Sequence, residues 1–91
     1  MHITAVQLMT LVAVADLGSM IAAARSLGYA PSTISAHISA VERHVGTPVV
    51  ARTADGTRLT PAGRQAVAVA RMIVGLYDYL DDLDVTASSR L

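Results

Sequence analysis

Residues 31–45, PSTISAHISAVERHV, gather three serines, a threonine, two histidines and an arginine within fifteen positions of a 91-residue chain. A serine nucleophile needs a histidine base oriented by an acid, and no acid lies close enough on the same helical face to orient His37. There is no glycine-rich phosphate loop. His37 and His44 stand seven residues apart, two helical turns, with no carboxylate or thiol on their face, and the chain has no cysteine. No metal site, cofactor or enzyme is expected. The same side chains can bind without reacting. At helical spacing Ile34, Ile38, Val41 and Val45 form a stripe for burial, while Ser32, Ser35, Ala36, Ser39 and Arg43 lie on another side, a face of short hydroxyls and methyls.

That helix must be held by its neighbours, and the punctuation along the chain is regular. Thr4-Ala5-Val6-Gln7 reads as a capping box opening a helix over about 5–17, with Leu8, Leu11, Val12 and Ala15 at helical spacing. Gly18 suits the left-handed end of that helix, Ser19 caps a short second helix, MIAAARSL, and Gly28 closes it. Pro31 starts the third helix and Gly46 ends it. Ala30 offers no cap, so Ser32 or Thr33 caps one turn later or the end frays. VVAR and TRLT then read as two strands around an Asp55-Gly56 turn. Thr60-Pro61 opens a fourth helix, in which Ala66, Val69, Ile73, Leu76, Leu80 and Leu83 form a heptad seam. A second apolar edge, Ala62, Val67, Ala70, Val74 and Tyr77, widens it.

Composition bounds the rest. Ninety-one residues make one small domain, and 53% hydrophobic with 15% charged residues is globular. The apolar opening AVQLMTLVAVADLGSMIAAA has no basic leader and is broken by Gln7, Asp16 and Gly18, so neither a signal peptide nor a membrane span is expected. A reducing compartment, the cytoplasm, is the default. Net charge is zero, yet residues 1–71 hold six arginines against three acids, and residues 72–91 hold Arg90 against four aspartates. Arg43, Arg52, Arg58 and Arg64 can therefore form a local positive patch, or stand as scattered solvated charges. The run DYLDDLD reads as the solvated face of helix four, with an acidic docking surface as the alternative.

The whole is mainly α: a winged helix-turn-helix of three helices and a two-stranded wing, followed by a long dimerisation helix. We divide it into residues 1–60, a linker helix 61–85 and a flexible tail 86–91. A helix of this width with one small exposed face suits a DNA major groove. Gly18-Ser19, Ala23-Ala24, Leu27, Pro31-Ser32-Thr33-Ile34-Ser35, Ile38, Val41-Glu42, Gly46, Arg52 and Leu59-Thr60-Pro61-Ala62-Gly63 together resemble the N-terminal domain of LysR-type transcriptional regulators over roughly residues 4–85. Where that family commonly carries a Ser or Thr cap, a Gln or Pro, and an Arg after the serine, this chain has Ala30, Pro31 and Ala36. Val49-Val50 replaces a Leu-Phe pair.

The resemblance implies a bacterial regulator binding double-stranded DNA as a homodimer through the fourth helix. Base-facing positions are then Pro31, Ser32, Ser35, Ala36 and His37. Backbone positions are Thr33, Ser39, Arg43, Arg52, Thr57 and Arg58, unless the arginines pair with Glu42 or Asp55 and the hydroxyls only cap or bond back to the helix. Dimer positions are Ala66, Val69, Ile73, Leu76, Tyr77, Leu80 and Leu83, unless the helix packs wholly on its own domain. The family's large effector-binding domain has no counterpart in these residues, so no small-molecule effector site is expected in them. A natural short protein and a piece of a longer regulator read identically. The alternative function is an interaction module that pairs through its last helix with a full-length relative.

Overall fold

The computed structural model describes residues 3–90, with side chains through residue 83. Four helices and a two-stranded antiparallel sheet follow one another: α1 Ala5–Leu17, α2 Met20–Leu27, α3 Pro31–Val45, β1 Val50–Thr53, β2 Gly56–Leu59 and α4 Pro61–Arg90. The local signals behave as their chemistry requires. The Gln7 N–H donates to Thr4 Oγ1 at 3.2 Å and the Thr4 N–H to Gln7 Oε1 at 2.9 Å, so the capping box satisfies two amides reciprocally. Ser19 Oγ accepts from the Ala22 N–H at 3.1 Å. The third helix begins at Pro31 with no side-chain cap at Ala30, and neither Ser32 nor Thr33 caps a later turn. Their hydroxyls are therefore not spent on the helix end.

In α1 the buried side chains are Leu8, Thr10, Leu11 and Val14, whereas Val12 and Ala15 are only half-buried. The helix is apolar on every side and packs against α2, α3 and α4 at once, so hydrophobic spacing alone does not identify its inner face. Ile34, Ile38 and Val41 of α3 enter the same core, with Ala23, Ala24, Val49 and Val67. Each fully buried aliphatic side chain contributes about 2 kcal/mol. Val45, expected in that stripe, is exposed at the end of the helix.

The wing departs from expectation by one residue. Its turn is Ala54-Asp55, and Gly56 is the first residue of β2, paired with Thr53. Gly56 has φ +127°, and a Cβ there would come within 2.7 Å of the Gly18 carbonyl oxygen. That oxygen also accepts the Thr57 N–H at 3.1 Å. The glycine thus serves a close approach to the α1–α2 turn rather than the apex of the hairpin.

Val49, fully buried between α3 and β1, ties three elements together. Its N–H donates to Glu42 Oε2 at 2.9 Å, and its carbonyl accepts the Thr60 N–H at 3.0 Å. Thr60 Oγ1 donates to the Pro48 carbonyl at 2.7 Å and accepts the Gly63 N–H at 3.0 Å, capping α4. Glu42 is consequently engaged with backbone and, among the described residues, pairs with no arginine.

The first turns of α4 complete the core through Val67 and Ala70. Arg71 donates to both oxygens of Asp16, at 2.5 and 3.3 Å, fastening α4 to the end of α1. The Arg71 hydrogen bonds hold the Asp16 carboxyl below the usual carboxylate range, and the carboxylate in turn raises Arg71. Beyond that point the helix leaves the domain, and residues 75–83 are all exposed. Its backbone stays helical to Arg90, past the end expected at 85, because VTASSR offers neither glycine nor proline to stop it. Of the expected tail, Leu91 lies outside the described residues.

Candidate nucleic-acid interface

With Ile34, Ile38 and Val41 turned inward, α3 leaves Pro31, Ser32, Ala36, Ser39 and Arg43 exposed and Thr33, Ser35 and His37 half-exposed. Among the described residues, the hydroxyls of Ser32, Ser35 and Ser39 make no hydrogen bond. Each retains a donor and an acceptor for an incoming partner. Ser35 and Pro31 share a cleft of about 390 Å³ with Ile21 of α2 and with Arg52 and Thr57 of the wing. The start of α3, the start of α2 and the wing thus present one continuous surface. At the other end of α3, Ser39 and Arg43 line a shallow depression with Thr47 and Pro48.

The two wing arginines are not side by side. The register pairs Arg52 with Thr57 and Ala51 with Arg58. Cross-strand partners share a face and neighbours along a strand alternate, so Arg52 and Thr57 lie on one face of the ribbon and Arg58 on the other. Among the described residues Arg43, Arg52 and Arg58 form no ion pair, unlike Arg71, which is held by Asp16. Their charge is available to an anion.

His37 is the site residue whose surroundings differ most from expectation. It lies about 140° around α3 from the centre of the serine face, on the side toward α1. Thr10 Oγ1, fully buried, donates its one proton to the Val6 carbonyl at 2.9 Å and lies 2.8 Å from His37 Nδ1. With that proton committed, Thr10 accepts from His37, whose Nδ1 carries hydrogen. The Tyr29 ring meets the imidazole edge-on, with centroids 5.5 Å apart. The histidine is a latch between α1 and α3, not a free side chain beside the serines. Nothing local in the sequence signals this bond, because its partner is 27 residues away. Replacing Thr10 by Val should lower stability by about 1 kcal/mol, read from the denaturant midpoint. An unchanged midpoint would show that the latch contributes nothing.

Along α4 the expected seam divides. Ala66 packs against the domain core and Ile73 is half-buried, whereas Val69, Leu76, Tyr77, Leu80 and Leu83 are exposed. Leu76 and Leu80 are 67% and 59% exposed, so the helix is not packed wholly on its own domain. Ile73, Leu76, Tyr77 and Leu80 together line one shallow apolar depression.

Three packed helices, a tight turn before the third and a docked two-stranded wing define a winged helix-turn-helix protein. Residues 6–64 match the bacterial regulatory helix-turn-helix proteins of the lysR family, and the chain belongs to that family. It is 40% identical over 67 residues to the small neutral protease regulatory protein of Streptomyces coelicolor, a match covering 74% of this chain and 20% of that protein. It is 39% identical over 69 residues to the lysine export transcriptional regulatory protein LysG of Corynebacterium glutamicum, covering 76% of this chain and 23% of LysG. The chain therefore spans about a fifth of the length of these curated relatives. Full-length LysG superposes with a TM-score of 0.85 at 32% identity, over 99% of this chain and 31% of LysG. The DNA-binding domain of CbnR, solved as a DNA complex, superposes with a TM-score of 0.82 at 32% identity, over 93% of this chain and 98% of that domain. Among the described residues no helix is long and apolar enough to cross a membrane.

Proposed function

We propose that this chain binds double-stranded DNA in a sequence-specific manner as a dimeric transcriptional regulator. In this reading α3 enters the major groove, the wing follows the phosphate backbone and α4 pairs two copies. The observation that carries it is the cleft that joins the unbonded Ser35 hydroxyl and Pro31 to the unpaired Arg52 and Thr57. Hydroxyls and methyls at Ser32, Ser35, Ala36 and Ser39 allow the helix to approach base edges closely, and no residue from 31 to 42 can read guanine bidentately as arginine does. Specificity then leans on DNA shape and on the separation of two half-sites. The similarity to a domain solved on DNA supports the same reading.

Selection of bound duplexes from random DNA, followed by affinity measurements across salt concentrations, tests it. Enrichment of paired half-sites with a steep salt slope is expected, and retention of no duplex overturns the reading. Within that experiment, Arg52→Ala should weaken binding to all sequences alike and reduce the salt slope by about one unit. Arg58→Ala should do the same from the opposite face of the ribbon, and the double variant should lose about two. A full slope in the folded Arg58→Ala protein would leave only the Arg52 face against the backbone.

A further inference from the structure

Two glycines interrupt α4, and only one is required by its surroundings. A Cβ at Gly63 would overlap the Val49 carbonyl oxygen, so no other residue fits there. A Cβ at Gly75 would meet nothing within 4 Å, and Gly75 has no positive φ. Any good helix former would fit at 75, and glycine is the poorest non-proline choice in a helix interior.

Its position along the helix is specific. Val67 and Ala70 are buried, Arg71 is fastened to Asp16, and Ile73 and Val74 are half-buried. From residue 75 onward the described side chains are exposed. The lone unexplained glycine thus stands where the fastened part of α4 gives way to the free arm bearing Leu76, Tyr77, Leu80 and Leu83. It also faces away from both the domain and that seam, about 120° from the seam's centre, so close helix approach does not call for it either.

We propose that Gly75 is a specificity-determining position, a bend point that lets the two winged domains of a dimer settle on half-sites of more than one separation. This rests on the dimeric DNA-binding reading. Without a side chain, the backbone at 75 resists bending less than it would with any other residue except proline. With the arm held in the dimer, Gly75 back to Pro61 beside the wing spans about 21 Å of helix, and a bend of about 15° displaces that end by about 5 Å, more than the rise of one base pair. Small flexure at this point therefore converts into whole steps along DNA.

The test compares wild type with Gly75→Ala, which fits without a clash. Hydrogen exchange of the amides at 75–79, whose helical bonds span the glycine, should slow about fivefold in the variant. On duplexes in which the half-site separation is changed one base pair at a time, the variant should hold the best separation within about twofold of wild type. It should lose about tenfold at separations one base pair longer or shorter. Equal exchange, or coinciding separation profiles, overturns the inference while leaving DNA binding intact. Failure of the wild-type dimer to bind any duplex removes the DNA-binding reading and this inference with it.

Discussion

Ser35→Glu is expected to abolish DNA binding while leaving the fold and the assembly unchanged. Ser35 is half-buried on the rim of the cleft, one residue from buried Ile34, and its hydroxyl holds up no part of the protein. A glutamate there adds a negative charge facing phosphates and occupies the space the helix needs near the base edges. Like charges placed together at an interface cost several kcal/mol, so affinity should fall by about a hundredfold or more. Ser35→Ala removes only one hydrogen bond and should cost less than about tenfold. Circular dichroism and sedimentation of both variants should match wild type, since the Ile34, Ile38 and Val41 stripe is untouched. Tight binding by the glutamate variant would mean that α3 is not the helix in the groove.

Leu76→Asp should convert the protein to monomers. Leu76 is 67% exposed in a single chain and is no part of the buried core, yet it lies in the middle of the proposed seam. A carboxylate at each of two symmetric positions would be desolvated and opposed to its own copy, a combination apolar pairing cannot repay. Sedimentation equilibrium should show one chain per particle, and affinity for a duplex with two half-sites should fall by about a hundredfold as the second contact ceases to be intramolecular. Ile73→Asp should behave alike with some added loss of stability, because Ile73 is half-buried against its own domain. A dimer that survives both changes places the interface elsewhere.

The features legible in the sequence are those set by neighbours in the chain. The reciprocal cap of Thr4 and Gln7, the Ser19 cap and the left-handed Gly18 depend on three or four consecutive residues, and helix ends follow from them. The inner stripe of α3 is equally plain over Ile34, Ile38 and Val41, since charged and hydroxyl residues flank it, whereas Val45 at the helix end is exposed. Distant partners decide the rest. Asp55-Gly56 announces a hairpin, but the turn is Ala54-Asp55 and Gly56 is instead the strand residue that lies close to the Gly18 carbonyl. His37 looks like a long polar side chain near the serines until Thr10 claims it from another helix. Arg52 and Arg58 look equivalent until the register puts them on opposite faces.

The bonds around Val49 bear on how this domain can be cut or recombined. Residue 60 looks like a natural place to separate a DNA-reading head from a linker, yet the Thr60 N–H and hydroxyl hold the Val49 and Pro48 carbonyls, and Gly63 closes over Val49. Val67 and Ala70 then fill the core from the same helix. A head ending at residue 60 would lose Val67 and Ala70 and leave that core exposed. Exchange of linker helices between relatives is therefore compatible with this architecture only when the graft begins beyond Arg71 or carries Glu42, Val49, Thr60 and Gly63 with it as a set.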